Sequence, residues 1–525
     1  MPTIWQTLHK RQFIALVSVA LMLCSLSMLH SIGIKSLFAS PDRHILVQQS
    51  LLALCTLALV VLFIRLTERI AQQHVLACRD ILFRAMLHAP FQRGPKRLGV
   101  AMNRLITDAN SLRKWAGPGL ANLLTGSLLV IAYGLYFTIG SPQLLPVAGT
   151  LLVALAISAG LSRSIISQTE ASVRSQRGRL SGHLSERSIQ KLSIRRMRRL
   201  DHEAKKSLNH GLVLADLLIG LKTVTTFFHT LLITVITLVT LAYIGVHLDD
   251  RAAMLELLHL PLFAQGILLM HRAWQYFLIY RVAYKRLSLA LVRCRANFHP
   301  SGKNLKAGEA PGITFRDCKL SRDSKTLVGR FPSGARVLLR GVHDKTALIR
   351  ALLAEQRPYS GYACLGKRRV SNLNPKRLYK HVMVLDQNFA FFKTSLRRNI
   401  AYGQGRLQDD HWQQVCRFLS IPDSRLDMAV PEMGAGLSEQ WKIRIMFART
   451  LLARPTLLMI DHPVLLSHPL AKQLLPQLVE AVTATLVIVS EPEDTPIGCE
   501  WLIDTDSGFC GPVQQWRQAP CHQTA

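Results

Sequence analysis

Apolar positions in the first 280 residues form long unbroken runs, at 13–34, 45–64, 119–139, 144–161, 223–246 and 257–270, the last continuing toward 278. Most approach the roughly 20 residues that a helix needs to cross hydrocarbon, so the pattern predicts six membrane-spanning helices. The first run follows Lys10 and Arg11, exceeds a signal-peptide core and lacks a small-residue cleavage site, which fits a retained signal anchor. Short connections at 41–44, 140–142 and 247–254 alternate with two long ones, 65–118 and 163–222. The long connections carry RSQRGRL and KLSIRRMRRL, and the positive-inside rule places both in the cytoplasm. They also keep helical spacing, with Ile81, Leu82, Ala85 and Met86 in one and Leu180, Leu184, Ile189 and Leu192 in the other, so the helices extend beyond the membrane.

After residue 312 the pattern changes to short β-rich runs alternating with helical ones, the mark of an α/β domain with a parallel sheet. The division is therefore a membrane domain over 1–300, a linker over 301–311 and an α/β domain over 312–525. ARVLLRG at 335–341 reads as a buried strand ending in glycine, and KTALIRALLAEQ after it as a helix. Strand, glycine turn, Lys-Thr and helix is the arrangement of a phosphate-binding loop, in which backbone N–H groups wrap an anion. GVHDKT keeps Gly341, Lys345 and Thr346, but it is two residues shorter than the standard motif and lacks its second glycine. Asp344 beside Lys345 would repel a phosphate. A second apolar run, LLMIDHP, ends in Asp461, which is either a magnesium ligand or a turn after a core strand.

Composition sharpens this picture. A hydrophobic share of 49% and a mean hydropathy of +0.21 belong to a chain with a membrane portion. The net charge of +32 concentrates on the inner connections, where it suits anionic lipid. Nucleic acid is not favoured, because Arg195, Arg196, Arg198 and Arg199 have no aromatic neighbours for base stacking. The ten cysteines are scattered without a CxxC pair and read as reduced structural thiols. His271 and Arg272 fall near the inner end of the last span, where a long cationic side chain snorkels.

Five segments occur together in one order: RDILFRAMLHAPF at 79–91, GVAMNRLITD at 99–108, RGRLSGHLSER at 177–187, VMVLDQNFAFFKTSLRRNIAYG at 382–403 and PEMGAGLSEQWKIRIMFARTLLARPTLLMIDHP at 431–463. In that order they resemble the intracellular loops, Q-loop, signature helix and Walker B strand of ATP-binding cassette (ABC) exporters. The resemblance implies a multi-domain half-transporter, a six-helix α-helical transmembrane domain followed by an α/β P-loop NTPase-like domain. It implies ATP and magnesium as ligands, with Gly341, Lys345, Thr346, Gln387, Ser438 and Asp461 around the nucleotide and Thr346 and Asp461 at the metal. It also implies intracellular loops centred near 90–99 and 181–190, and a homodimer or a heterodimer with another half. The setting would be membrane lipid, an integral protein of a bacterial inner membrane with the nucleotide domain in the cytoplasm. Nucleic acid is not among the partners, and the transported substrate has no signature in the sequence.

The same segments depart from the family's pattern. His462 stands where the family has its catalytic glutamate, and a general base is worth ~10²–10⁴ in rate. LSGGQ becomes LSEQW, with Glu439 and Trp441 crowding a place where backbone approaches phosphate. Glu491 matches the switch histidine, His468 matches the D-loop aspartate, and 319–325 contains no aromatic to stack on adenine. The expectation is a subunit with a weak or silent ATPase. The alternatives are an active homodimeric exporter that uses unusual residues and a non-transporting membrane scaffold. A transition-metal site of Asp461, His462, His468 and Glu491 would be a further departure.

Overall fold

The computed structural model describes residues 1–39, 42–87, 98–189, 199–247, 250–295, 310–387, 389–404, 408–490 and 497–518. The described residues fall into two compact units, one over 1–87 and 98–295 and the other over 310–518.

The first unit is helical, built on α1 (Lys10–Ala39), α2 (Arg43–Leu87), α3 (Leu120–Gly140), α4 (Leu145–Ile189), α5 (Leu200–Val246) and α6 (Leu260–Arg295). Among the described residues, six helices are long and apolar enough to cross a membrane, one for each run of the sequence. In hydrocarbon every backbone polar group must bond within its own segment, which continuous helices achieve. Large apolar side chains such as Leu54, Leu57, Ile131 and Leu238 remain on the outside, as lipid contact requires. Helices α2, α4 and α5 run for 45, 45 and 47 residues. That is about 70 Å at 1.5 Å per residue, against about 30 Å of hydrocarbon. The surplus length is the basic sequence between the runs. Before α3 the chain stays helical through Arg104–Asp108 and Trp115–Gly119, where the hydrogen-bond ladder widens to π turns. Pro118 lies in the second, and the wider turn absorbs its missing N–H.

Polar contacts lie toward the ends of the apolar runs. At one end Lys35 of α1 pairs with Glu256. Glu256 also accepts from Ser141 Oγ at 2.5 Å and Tyr136 OH at 3.1 Å. Buried His259 meets Ser31 Oγ at 2.6 Å and Tyr136 OH at 3.1 Å, joining α1, α3 and the start of the last helical segment. At the other end Arg174 of α4 binds Asp108 at 2.8 Å and Glu170 at 2.5 Å, while Arg286 of α6 stands 4.0 Å from Asp108. His271 and Arg272 divide between two faces. His271 is buried beside Gln275, and exposed Arg272 lies 3.0 Å from His229 of α5. Helices α3 and α6 touch backbone to backbone, because a Cβ on Gly126 would come within 2.7 Å of the Gly266 carbonyl.

The second unit holds strands β1 (Ile313–Lys319), β2 (Leu327–Phe331), β3 (Arg336–Arg340), β4 (Ser360–Leu365), β5 (Arg368–Arg369), β6 (Val382–Asp386), β7 (Thr394–Ser395), β8 (Ala429–Val430), β9 (Leu457–Asp461), β10 (Thr485–Val489), β11 (Trp501–Asp504) and β12 (Phe509–Pro512). The main sheet has the order β12-β11-β3-β10-β9-β6 and is parallel except for β12. Its central strands are buried on both faces, with Val337, Leu339, Leu457, Ile460 and Ile488 fully enclosed, which is why they read as unbroken apolar runs. Sheet β2-β1-β4-β5 is antiparallel. Leu348 and Leu352 of α7 (Lys345–Leu352) share one core with Phe315 and Phe331 from this sheet and Met459 and Val487 from the main one. A second core joins Ile443 and Phe447 of α8 (Glu439–Ala453) to Ile460 and to Leu475 of α9 (Pro469–Ala481). The described cysteines are all free thiols.

The charge cluster gives a graded expectation. Arg174 and Asp108 are each 1% exposed at the side chain, so Asp108→Ala leaves a buried cation short of a partner. The cost expected is about 3–5 kcal/mol. Asp80→Ala, which breaks an exposed pair with Arg84, should cost less than about 1 kcal/mol. Thermal unfolding of the solubilised protein compares the two, and equal shifts would contradict a structural role for the cluster.

Candidate nucleotide site

Gly341, Asp386 and Asp461 stand at the carboxyl ends of parallel strands β3, β6 and β9, the edge where open α/β sheets take their ligands. The turn from β3 into α7 is the phosphate loop of the sequence. Gly341 has φ +128°, and a Cβ there would fall 2.1 Å from Thr505 Oγ1, so glycine is obligatory. Asp344 occupies the left-handed region at φ 64°, directly before Lys345. Directly before the lysine, Asp344 thus takes a backbone conformation that glycine adopts most readily. Aspartate tolerates this conformation because its short side chain can bond locally; here Oδ2 accepts from Ser321 Oγ at 3.2 Å. Lys345 and Thr346 fall on the first turn of α7, with Thr346 exposed.

The loop N–H groups already have an acceptor. Asp506 Oδ2 accepts from the Val342 N–H at 2.7 Å and Oδ1 from the His343 N–H at 3.2 Å. The turn that carries Asp506, between β11 and β12, is fastened to the loop. Thr505 Oγ1 donates to the His343 carbonyl at 2.6 Å and the Thr505 N–H to the Arg340 carbonyl at 3.1 Å. Asp504 braces the turn by accepting from the Asp506 N–H and the Ser507 hydroxyl. The Val342 N–H above all, with the His343 N–H and the charges of His343 and Lys345, holds the Asp506 carboxyl below the usual range.

Asp461 and Asp386 are register partners on adjacent strands, so two carboxylates stand side by side. Burial first, and then the Asp386 charge, raise the Asp461 pKa, with Lys345 opposing. Asp386, next to Gln387, was not singled out from sequence. Burial lowers the pKa of His462, which favours the uncharged imidazole, and its Nδ1 is enclosed without a hydrogen-bond partner. His462, Gln387, Asp386, Glu439 and Lys442 line one open cleft of about 1040 Å³; Gly341, Lys345, Thr346 and Ser438 are not among its lining residues.

Ser438 precedes α8 and is exposed. Glu439, in the first turn, pairs with Lys442 at 2.7 Å, so a carboxylate of the chain sits where a helix N-terminus favours an anion. Trp441 packs half-buried on the core, with the Arg444 guanidinium 5.4 Å from its ring centre. His468 caps α9, its Nδ1 accepting from the Leu470 N–H at 3.2 Å. Glu491 lies outside the described residues. Among the described residues no three His, Cys, Asp or Glu side chains converge as metal ligands, so the transition-metal alternative gains no support.

The segment after Gln387 is held by two residues that sequence reasoning missed. Asn399 accepts from the Phe392 N–H at 2.9 Å and donates back to the Phe392 carbonyl at 2.9 Å. Arg449 of α8 donates to the carbonyls of Asn399 and Ala390, its guanidinium lying 4.8 Å from the Phe389 ring centre. Burial lowers its pKa to about 10, which leaves it charged at neutral pH. A single asparagine after two arginines and a single arginine within an apolar stretch of helix gave no sequence signal.

Set against magnesium ATP, these residues fit in part. The sheet edge, the glycine turn, Lys345, Thr346 and Asp461 are in place. Two of the loop amides, of Val342 and His343, are occupied by Asp506, burial lowers the pKa of His462, and 319–325 folds around Ser324, whose Oγ accepts from the Leu320 and Ser321 N–H groups.

Residues 331–465 match the family model for ABC transporters. An export ATP-binding/permease protein of Rickettsia typhi is 24% identical over 152 residues, 28% of this chain and 26% of that protein. ATP-binding cassette sub-family B member 10 of Mus musculus, a mitochondrial protein, is 32% identical over 141 residues, 25% of this chain and 20% of that one. The matched region thus spans about a quarter of the length of these relatives. A solved bacterial Atm1-family ABC exporter, with ATP bound, superposes with a TM-score of 0.81 at 13% identity over 98% of both chains. With six membrane-length helices ahead of a region that matches the ABC transporter family model, the chain has the fold of an ABC exporter half.

Proposed function

We propose that the chain is an exporter-type half-transporter subunit that pairs with a second half, its own copy or another, and that binds ATP weakly and turns it over slowly or not at all. The observation that carries this reading is the contrast between an exporter fold over 98% of the chain and a strand-to-helix loop, read as a phosphate loop, whose Val342 and His343 amides are held by Asp506. His462 supports it, since an imidazole kept neutral by burial and lacking a partner on Nδ1 has nothing to orient it as a base. Glu439 supports it as well, because a carboxylate at the signature helix opposes the phosphate that a partner's nucleotide would present. The substrate would cross between the six helices. The membrane unit keeps the features transport needs, a lipid-facing exterior and buried polar contacts toward both ends of the spans.

Turnover of magnesium ATP by the purified protein in lipid nanodiscs is the direct test. The rate expected is near background and insensitive to Lys345→Ala; robust turnover lost with that substitution would make the chain an active exporter and sink the proposal. His462→Glu should restore less than the ~10²–10⁴ that a base alone is worth, because the phosphate loop and signature remain altered.

The paired carboxylates allow a second check. Asp461 has a folded pKa above its unfolded one, so its ionisation destabilises the fold as pH rises from the unfolded value, about 3.9. Asp461→Asn is therefore expected to raise the melting temperature at pH 7 in metal-free buffer, with the gain fading toward pH 4. A lower melting temperature at pH 7 would contradict this.

A further inference from the structure

We propose that Asp506 is an internal plug of the phosphate loop, a carboxylate that occupies the anion cradle and competes directly with nucleotide phosphate. The inference rests on reading 341–346 as a phosphate loop, and it adds a removable cause for weak binding.

The geometry is that of an anion in a receptor. Both oxygens of one carboxylate are engaged by two consecutive backbone N–H groups, of Val342 and His343, at the start of the loop that leads into α7. A phosphate loop recognises its ligand through these same groups, aided by the field of the following helix. Val342 and Asp506 are both exposed, so the contact lies at the surface and is not part of the core. Occupation of these amides is consistent with the charge-assisted bonds that lower the Asp506 pKa.

The plug is not a free side chain. Asp504 ties the turn from within, and Thr505 ties it to the loop through the Arg340 and His343 carbonyls. Thr505 also fills the space above Gly341 where a Cβ would stand. The loop and the 504–508 turn thus form one preassembled unit, and its carboxylate is present at an effective concentration no dissolved phosphate matches. A nucleotide must displace Asp506 and then tolerate its charge nearby. Removal of that carboxylate removes both penalties.

Equilibrium binding of radiolabelled ATP with magnesium to the full-length protein in nanodiscs tests this. Asp506→Ala and Asp506→Asn are each expected to bind at least tenfold more tightly than the unaltered protein, with the gain lost when Lys345→Ala is added. Ser507→Ala, which loosens the turn but keeps the carboxylate, should give a clearly smaller gain than either Asp506 variant. A folded Asp506 variant with no gain, or an equal gain from Ser507→Ala, would overturn the plug. If Asp506→Ala fails to fold, the nearly isosteric Asp506→Asn decides. Affinity ratios judge the plug alone; turnover of the unaltered protein judges the half-transporter reading, so either can fail without the other.

Discussion

Backbone N–H and C=O groups withdrawn from water must find partners, and both units are shaped by that requirement. Hydrocarbon leaves the N-terminal half only the continuous helix, and the same ladder runs on past the apolar runs into basic sequence. Even Pro118, which breaks the ladder, is accommodated by a wider turn without ending the helix. In the C-terminal half the strand-to-helix turn after β3 leaves the amides of Val342 and His343 without a helical partner. This chain supplies a carboxylate of its own.

Self-satisfaction recurs around the site. Asp344 is bonded to Ser321, Glu439 to Lys442, and the His468 ring to the first turn of its own helix. Each group has found its partner within a few residues or across one loop. The sheet, by contrast, keeps its full apolar core, so the nucleotide domain remains a folded body whatever becomes of its chemistry.

Sequence conveyed most of the architecture because its signals are local. Apolar runs of about 20 residues place spans directly, and strands such as those ending at Gly341 and Asp461 are continuous in apolar character. The helical spacing of Ile81 to Met86 and of Leu180 to Ile189 matches helices that run on beyond the apolar spans, while Leu192 lies outside the described residues. The site was legible only where motif residues are contiguous, as in GVHDKT and LLMIDHP. Asp506 is 164 residues from Val342, in a stretch whose Asp, Ser and Gly look like any hairpin turn. Its role follows from β11 pairing with β3, which no local pattern reports. Asp386 and Asp461 became neighbours through strand register. The union of Asp108, Arg174 and Arg286 likewise needs three helices to meet.

The glycine contact between α3 and α6 bears on how the membrane half moves. Backbone at Gly126 lies against backbone at Gly266 with no side chain between, so neither helix has a compressible layer along which to slide. Such a pair would move together, and a bulky side chain at either glycine would have to push the two helices apart.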